Sequence, residues 1–501
     1  MNAECRTNKY RAGRFSGWCF RVNPFTIDQI RHATDGKFID ANPQALIRSI
    51  CTDSRDIQPG CLFIALKGEN HNGHHHLQAA AAGGAVAALV DEQCDATLPL
   101  IRVTDTRKAM GQIAAQVRRQ LRGTVIAVAG SNGKTGTKHL IHAALSTTRN
   151  GTASPKSFNN DIGVPLTIFS ADPMQDYLVL EIGTNHPGEI LNLTHIARPD
   201  VAVITNIGAE HLEFLGDLNG VTTENAQIIA GMNPNGMLVV NGDCPPLLAA
   251  VAGYPGRIVR FGLGLQNDLH PTDIQCVADG VKFRLHDRPV SVPLMGRHIA
   301  VNARAAFAVG RHLGVRDADI IAGLSTAKGP VMRLELQTAG NIRILNDAYN
   351  ANPHSMQAAL ETLRDLDTTG RKIAILGDMR ELGATADGYH RDIGLFAAQC
   401  GLDHLVCIGE KAKIIADTAF NERVHVSHYG SANDCAAKIA EIVRDGDLVL
   451  LKASRTMKLE TIANTIMAMT AGSELQRELA ARMQKVVQAP ARDLSKTAPA
   501  Q

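Results

Sequence analysis

The sequence contains no pair of cysteines spaced C-x-x-C, although ten cysteines are scattered at positions 5, 19, 51, 61, 94, 244, 276, 400, 407 and 435. That absence excludes a zinc ribbon and a thioredoxin-like motif. In so long a chain the thiols are read as reduced cytosolic cysteines, several of them in cores. No apolar stretch approaches the roughly 18 residues that a membrane helix needs. Charge of one sign is not in excess either. The formal net charge is +2, and a nucleic-acid or membrane-surface binder would need a concentrated basic patch. The first 22 residues carry Arg6, Lys9, Arg11, Arg14 and Arg21 without an apolar run of seven or more. They therefore do not read as a secretory signal, and residues 1–22 are expected to be a disordered extension.

What is present is an ordinary globular composition, with 45% hydrophobic and 20% charged residues. A chain of 501 residues is too long for one hydrophobic core, and three domains are expected. Residues 23–121 alternate short apolar runs such as Cys61-Leu62-Phe63-Ile64 with an alanine-rich helical stretch at 77–89, which suggests a small α/β domain. Residues 122–328 open with Thr124-Val125-Ile126-Ala127-Val128-Ala129, a β-branched run typical of a buried parallel strand. Strand-like runs at 177–182 and 201–205, separated by helical stretches, imply a doubly wound sheet. Residues 329–475 repeat the pattern with runs at 342–347, 372–378, 404–409 and 447–452, a second parallel α/β unit. The tail, 476–501, is expected to finish disordered.

The strongest chemical signal is Gly130-Ser131-Asn132-Gly133-Lys134-Thr135, directly after a strand and before a helical stretch. Glycines there let successive N–H groups point at phosphate oxygens. Lys134 supplies a point charge to the terminal phosphates, and the Thr135 hydroxyl suits Mg²⁺. The full Walker pattern wants a glycine where Val128 stands, so the match is to a shortened loop. Such a loop indicates a nucleoside triphosphate without naming the reaction.

The shortened loop resembles that of the Mur ligases, and further blocks match the family in the same order. They are Ser157-Phe158-Asn159-Asn160-Asp161-Ile162-Gly163-Val164-Pro165, Glu181-Ile182-Gly183-Thr184-Asn185-His186-Pro187-Gly188-Glu189-Ile190 and Asn206-Ile207-Gly208-Ala209-Glu210-His211-Leu212. Upstream, Asp53-Ser54-Arg55, Pro59-Gly60 and Ala65-Leu66-Lys67-Gly68 resemble the family's UDP-binding domain. In the third segment, Asn346-Asp347-Ala348-Tyr349-Asn350-Ala351-Asn352-Pro353, Leu376-Gly377-Asp378-Met379 and Lys452-Ala453-Ser454-Arg455 resemble the branch that adds D-alanyl-D-alanine.

The resemblance implies three domains: a small UDP-binding α/β domain, a central P-loop ATPase domain and a Rossmann-like C-terminal domain. It implies ATP and Mg²⁺ as cofactors, UDP-N-acetylmuramoyl-tripeptide and D-alanyl-D-alanine as partners, and a cytoplasmic, monomeric enzyme of cell-wall precursor synthesis. The family forms an amide through an acyl phosphate, which needs positive charge over the transferring phosphoryl group and a site closed to water. Gly130, Ser131, Asn132, Gly133, Lys134 and Thr135 would cradle the triphosphate, with Asn302 at the base and Arg333 reaching back to the phosphates. Thr135, Glu181 and His211 would hold metal, and Lys134 and His211 would be catalytic. Asn159, Asp347, Asn350 and Asn352 would meet the reacting substrates, and Ser54, Arg55 and Lys67 the UDP end.

Two positions depart from the family. Ile299 replaces an asparagine that contacts the base, and Asn225 stands where most members carry a carbamylated lysine, with Gln227 in place of a glutamate. Asparagine offers a metal a carbonyl but no charge, and the adjacent Glu224 is the candidate to compensate. Two alternatives therefore stay open: a Mur-type ligase for another amine, and a nucleotide-binding homologue without catalysis. The run His74-His75-His76 is not expected to bind metal, because adjacent side chains diverge.

Overall fold

The computed structural model describes residues 18–471, apart from 40–41, 286 and 422–423. Three six-stranded sheets follow one another along the chain. The first runs, edge to edge, Cys19–Thr26, Leu46–Cys51, Cys61–Ile64, Ala87–Val90, Leu100–Arg102, Lys37–Ile39. Its four inner strands are parallel and its two edge strands antiparallel. The opening strand begins at Cys19, inside the stretch expected to be an extension. Phe20 and Phe25 bury against the core, which gives the strand a reason to form. The proposed extension up to residue 17 and the proposed tail lie outside the described residues. The alanine-rich stretch is not one helix: Leu77–Ala82 is helical, Gly83-Gly84 ends it, and Ala87–Val90 is a buried strand. Gly84, at φ 90°, takes the left-handed turn that a continuing helix cannot.

The central sheet is wholly parallel, in the order Gly151–Ala153, Tyr177–Glu181, Thr124–Ala129, Val201–Ile204, Met237–Asn241, Arg257–Phe261. After Thr124–Ala129 the chain first builds to one side and then, with Val201–Ile204, to the other. This reversal opens a crevice beyond the carboxyl ends of the strands. A three-stranded antiparallel sheet, Thr272–Val277, Gly280–Leu285 and Arg288–Val292, packs behind it and was not anticipated. Val281, Phe283 and Leu285 alternate inward to join the core under helix His298–His312.

The third sheet runs Glu335–Ala339, Ile342–Asp347, Leu448–Lys452, Lys372–Gly377, His404–Ile408, Val426–Tyr429, parallel except at the first pair. Each expected strand of this unit is present, each a buried apolar run. The first and central sheets share one continuous hydrophobic cluster. Helix Thr106–Gln120 lies between them, and Arg118 donates from it to Ala197 O and to Asp200. Among the described residues no helix is long and apolar enough to cross a membrane.

Candidate active site

A cavity of about 770 Å³ opens where the central and third sheets present their strand ends to each other. Its floor is the turn after strand Thr124–Ala129. Gly130 takes φ 119° there, and a Cβ would lie 2.2 Å from Thr205 Oγ1. Gly133 takes φ 82°, and a Cβ would lie 2.8 Å from Asn302 Nδ2, so only glycine lets Asn302 approach the loop. Helix Lys134–Leu145 starts from this turn with its amino end toward the cavity.

The loop is held from below. Ser131 N donates to Asn206 O at 2.9 Å, Asn132 N to Asn206 Oδ1 at 2.8 Å, and Thr205 Oγ1 to Asn132 O at 2.6 Å. Lys134 folds back, donating to the carbonyls of Gly130 and Ser131, with its Nζ 3.6 Å from Glu210 Oε2. Among the described residues, buried Thr135 Oγ1 has no hydrogen-bond partner, nor has Glu210 Oε1. Glu181 is fully buried at the end of its strand. Asn159 Nδ2 donates to its Oε1 and Lys138 Nζ to its Oε2, each at 3.0 Å. Burial pushes the Lys138 ammonium below the usual lysine range, against the attraction of Glu181.

The two lobes touch at several points. Asn352 caps helix Pro353–Asp365 by accepting from Ser355 N, and its Nδ2 donates to Asn132 Oδ1 at 2.8 Å. His211 Nδ1 lies 2.5 Å from Glu381 Oε2, and Glu213 N donates to Glu381 O at 3.2 Å. The Arg333 guanidinium stacks over the Tyr349 ring at 4.3 Å. Of the residues singled out from sequence, Ser131, Asn132, Gly133, Lys134, Thr135, Asn159, Glu181, His211, Asn302, Arg333, Asp347, Asn350 and Asn352 all line this one cavity. Gly130 lies just beneath it. Ser54, Arg55 and Lys67 stand outside it, Arg55 bonded to Asp53 and Lys67 to Glu92.

Three of these side chains are already engaged by neighbours in this structure. Asn225 is not free to serve a metal: its Oδ1 accepts from Gly130 N at 2.9 Å and its Nδ2 donates to Val221 O at 3.0 Å. The Glu224 carboxylate accepts from Gly188 N and Ile190 N at the start of helix Glu189–Ala197. Asp347 lines the cavity as one half of an ion pair. Its Oδ2 binds Lys452 Nζ at 2.6 Å and its Oδ1 accepts from Leu334 N. Burial raises the Asp347 carboxyl and lowers the Lys452 ammonium from their usual ranges.

Lys138, Glu210 and Glu381 were missed. Lys138 had a signal, standing one helical turn beyond Lys134 on the same face. Glu381 stands in the block Leu376-Gly377-Asp378-Met379-Arg380-Glu381-Leu382-Gly383 that resembles the family, but its pairing with His211, 170 residues away, left no local sign. His74 lies near Asp91 and Glu92. Its Nε2 lies 3.2 Å from Asp91 N and 3.1 Å from Asp91 Oδ1, and its Nδ1 lies 2.7 Å from Asn72 Oδ1.

Comparison with known proteins agrees with this geometry. Three family models match: the Mur ligase family catalytic domain over residues 46–118, the Mur ligase middle domain over 128–310 and the Mur ligase glutamate ligase domain over 332–455. A UDP-N-acetylmuramoyl-tripeptide--D-alanyl-D-alanine ligase of Bacillus subtilis is 37% identical over 437 residues, covering 85% of this chain and 95% of its own. The Escherichia coli protein of the same name is 35% identical over 450 residues, covering 88% and 98%. Among solved structures, MurF from Acinetobacter baumannii superposes with a TM-score of 0.81 at 32% identity, over 89% of this chain and all of its own. MurF ligase from Thermotoga maritima in complex with ADP gives 0.76 at 27%, over 85% and 98%. With family models across all three sheets and relatives above 30% identity over most of its length, the chain belongs to the Mur ligase family.

Proposed function

We propose that the chain joins D-alanyl-D-alanine to UDP-N-acetylmuramoyl-tripeptide, using ATP and releasing ADP and phosphate. The observation that carries this reading is the shared cavity, in which the phosphate loop faces Asn350 and Asn352 of the third lobe across the Asn132–Asn352 hydrogen bond. In this reading the tripeptide carboxylate attacks the γ-phosphorus and ADP leaves. The dipeptide amine then attacks the acyl carbon and phosphate leaves.

The chain's own residues fit these needs. Lys134 exchanges the carbonyls of Gly130 and Ser131 for phosphate oxygens. Asn302 and Arg333 hold the nucleotide from either side of the loop. The lobes, latched by His211–Glu381 and Asn132–Asn352, exclude the water that would hydrolyse an acyl phosphate. The residues also fit a divalent cation, since Thr135 offers a buried hydroxyl with no partner among the described residues and lines the same cavity as the buried Glu181 carboxylate. Thr135, Glu181 and His211 would hold Mg²⁺, which when bound supplies positive charge over the transferring phosphoryl group. Asp347 and Lys452 shape the third-lobe wall as a neutralised pair, while Asn350 and Asn159 face the substrates. Ser54, Arg55 and Lys67 take the UDP end. We assign 23–121 to UDP binding, 122–328 to ATP and 329–475 to the amine.

Purified protein with ATP, Mg²⁺ and UDP-N-acetylmuramoyl-tripeptide tests the proposal when a panel of amines is offered and phosphate release is followed with product mass. Release with D-alanyl-D-alanine is expected. Release only with a different amine, or none with any, overturns it.

A further inference from the structure

Three cysteines meet beneath the turn that carries Asp53, Ser54 and Arg55. Cys19 opens the first edge strand, Cys51 ends its neighbour, and the two are direct cross-strand partners. Thr52 N donates to Trp18 O at 3.3 Å. The adjoining 18–52 pair is therefore the hydrogen-bonded one, and 19–51 is a non-hydrogen-bonded pair. In such pairs the facing Cα atoms approach to about 4.5 Å, and the side chains project from the same face. A disulfide spans Cα separations of about 4.4–6.8 Å. Cys61, on the next strand, faces Ser49, so it is only diagonal to Cys51. Its thiol nevertheless lies within hydrogen-bonding reach of Cys19 and Cys51, so the assignment of the bond to 19–51 rests on their direct cross-strand pairing and on the exposure of Cys19. Cys51 is fully buried while Cys19 is partly exposed, so a reagent in solution meets Cys19 first.

Cys51 is tied to the turn. Its Sγ donates to Asp53 O at 3.1 Å, and the Asp53 carboxylate accepts from Arg55 N and Nε. Trp18 N in turn donates to Asp56 Oδ2 at 2.8 Å. We propose that Cys19 and Cys51 form a reversible disulfide that releases the Asp53 carbonyl and loosens the 53–55 turn, weakening binding at the UDP end. This rests on the reading of Ser54, Arg55 and Lys67 as UDP contacts.

The oxidant is a low-molecular-weight disulfide, RSSR. The Cys19 thiolate attacks one sulfur, forming Cys19–SR and expelling RS⁻. The Cys51 thiolate attacks the Cys19 sulfur, the bond to R breaks, and a second RS⁻ leaves. Two protein thiols are oxidised, RSSR is reduced to two RSH, and the two thiol protons end on the leaving groups.

The test treats the full chain with oxidised glutathione, alkylates without reduction and maps peptides by mass. Trp18, the single tryptophan, adjoins Cys19 and reports on the bond by fluorescence. Expected are a linked 19–51 peptide, quenched Trp18 emission restored by dithiothreitol, and affinity for UDP-N-acetylmuramoyl-tripeptide weakened about fivefold, the loss of one hydrogen bond. ATP affinity stays unchanged. Cys19→Ser and Cys51→Ser, the latter keeping a donor for Asp53 O, are insensitive to oxidation. Absence of the linked peptide, linkage of Cys51 to Cys61 instead, or unchanged substrate affinity in the oxidised protein overturns the proposal. If the reduced protein fails to bind the UDP substrate, the UDP reading falls with it, while mapping and fluorescence still report the bond separately.

Discussion

Asn225→Ala removes the acceptor that holds the first glycine of the phosphate loop, and the structure sets the size of the effect. Asn225 is 1% exposed, so water cannot replace the lost carbonyl. Gly130 N–H is left buried and unpaired, which costs about 1–3 kcal/mol. The second bond, to Val221 O, matters less, because a helix carbonyl can retain its backbone donor. A net loss of about 2 kcal/mol follows, shifting the melting of the central unit by roughly 4–8 °C. The local readout is amide hydrogen exchange across residues 124–136, where protection at Gly130 should fall by about thirtyfold, equivalent to 2 kcal/mol. With Gly130 free to move, the loop amides no longer converge and the KM for ATP should rise. Unchanged exchange at Gly130 together with an unchanged KM would falsify the assignment of Asn225 as the loop's anchor.

Other outcomes follow from the same geometry. Lys134→Ala should abolish turnover and leave the circular dichroism spectrum unchanged; normal turnover refutes its role. Lys452→Met should destabilise the third lobe by about 3–5 kcal/mol by stranding the buried Asp347 carboxylate. Adding Asp347→Leu should restore most of that stability in urea unfolding, and a double variant no better than the single one speaks against the pair. Asn352→Ala should cost about 1 kcal/mol through the lost helix cap and raise the KM for ATP through the lost bond to Asn132, as thermal melting and initial rates will show. Burial and the neighbouring His425 hold His404 at about 4, below its ordinary 6.5. The folded state keeps it neutral while the unfolded state takes a proton below 6.5, so stability falls as pH drops from 6.5 to 4, by up to about 3 kcal/mol. A His404→Gln variant should flatten that slope; an identical slope in both proteins removes His404 as its cause.

The sheets of the central and third units were legible because buried parallel strands are continuous apolar runs, as at Thr124–Ala129 and Leu448–Lys452. The antiparallel sheet at 272–292 was passed over: its strands alternate inward and outward, and no single run stands out. The edge strand from Cys19 hid in a basic segment, since only Phe20 and Phe25 face the core. At the site, residues within recognisable motifs were readable, and thirteen of the residues singled out line one cavity. Their partners were not readable. Whether Asp347 faces a substrate or Lys452, or Asn225 a metal or Gly130 N–H, depends on segments about a hundred residues away. Local pattern carries no information about such pairings.

The most direct measurement follows the fate of a labelled oxygen. UDP-N-acetylmuramoyl-tripeptide carrying a heavy oxygen isotope at both oxygens of the carboxylate to be joined is turned over with ATP and D-alanyl-D-alanine, and the liberated phosphate is weighed. If that carboxylate captures the γ-phosphoryl group before meeting the amine, each phosphate carries one heavy oxygen. Liberated phosphate without the label contradicts the account.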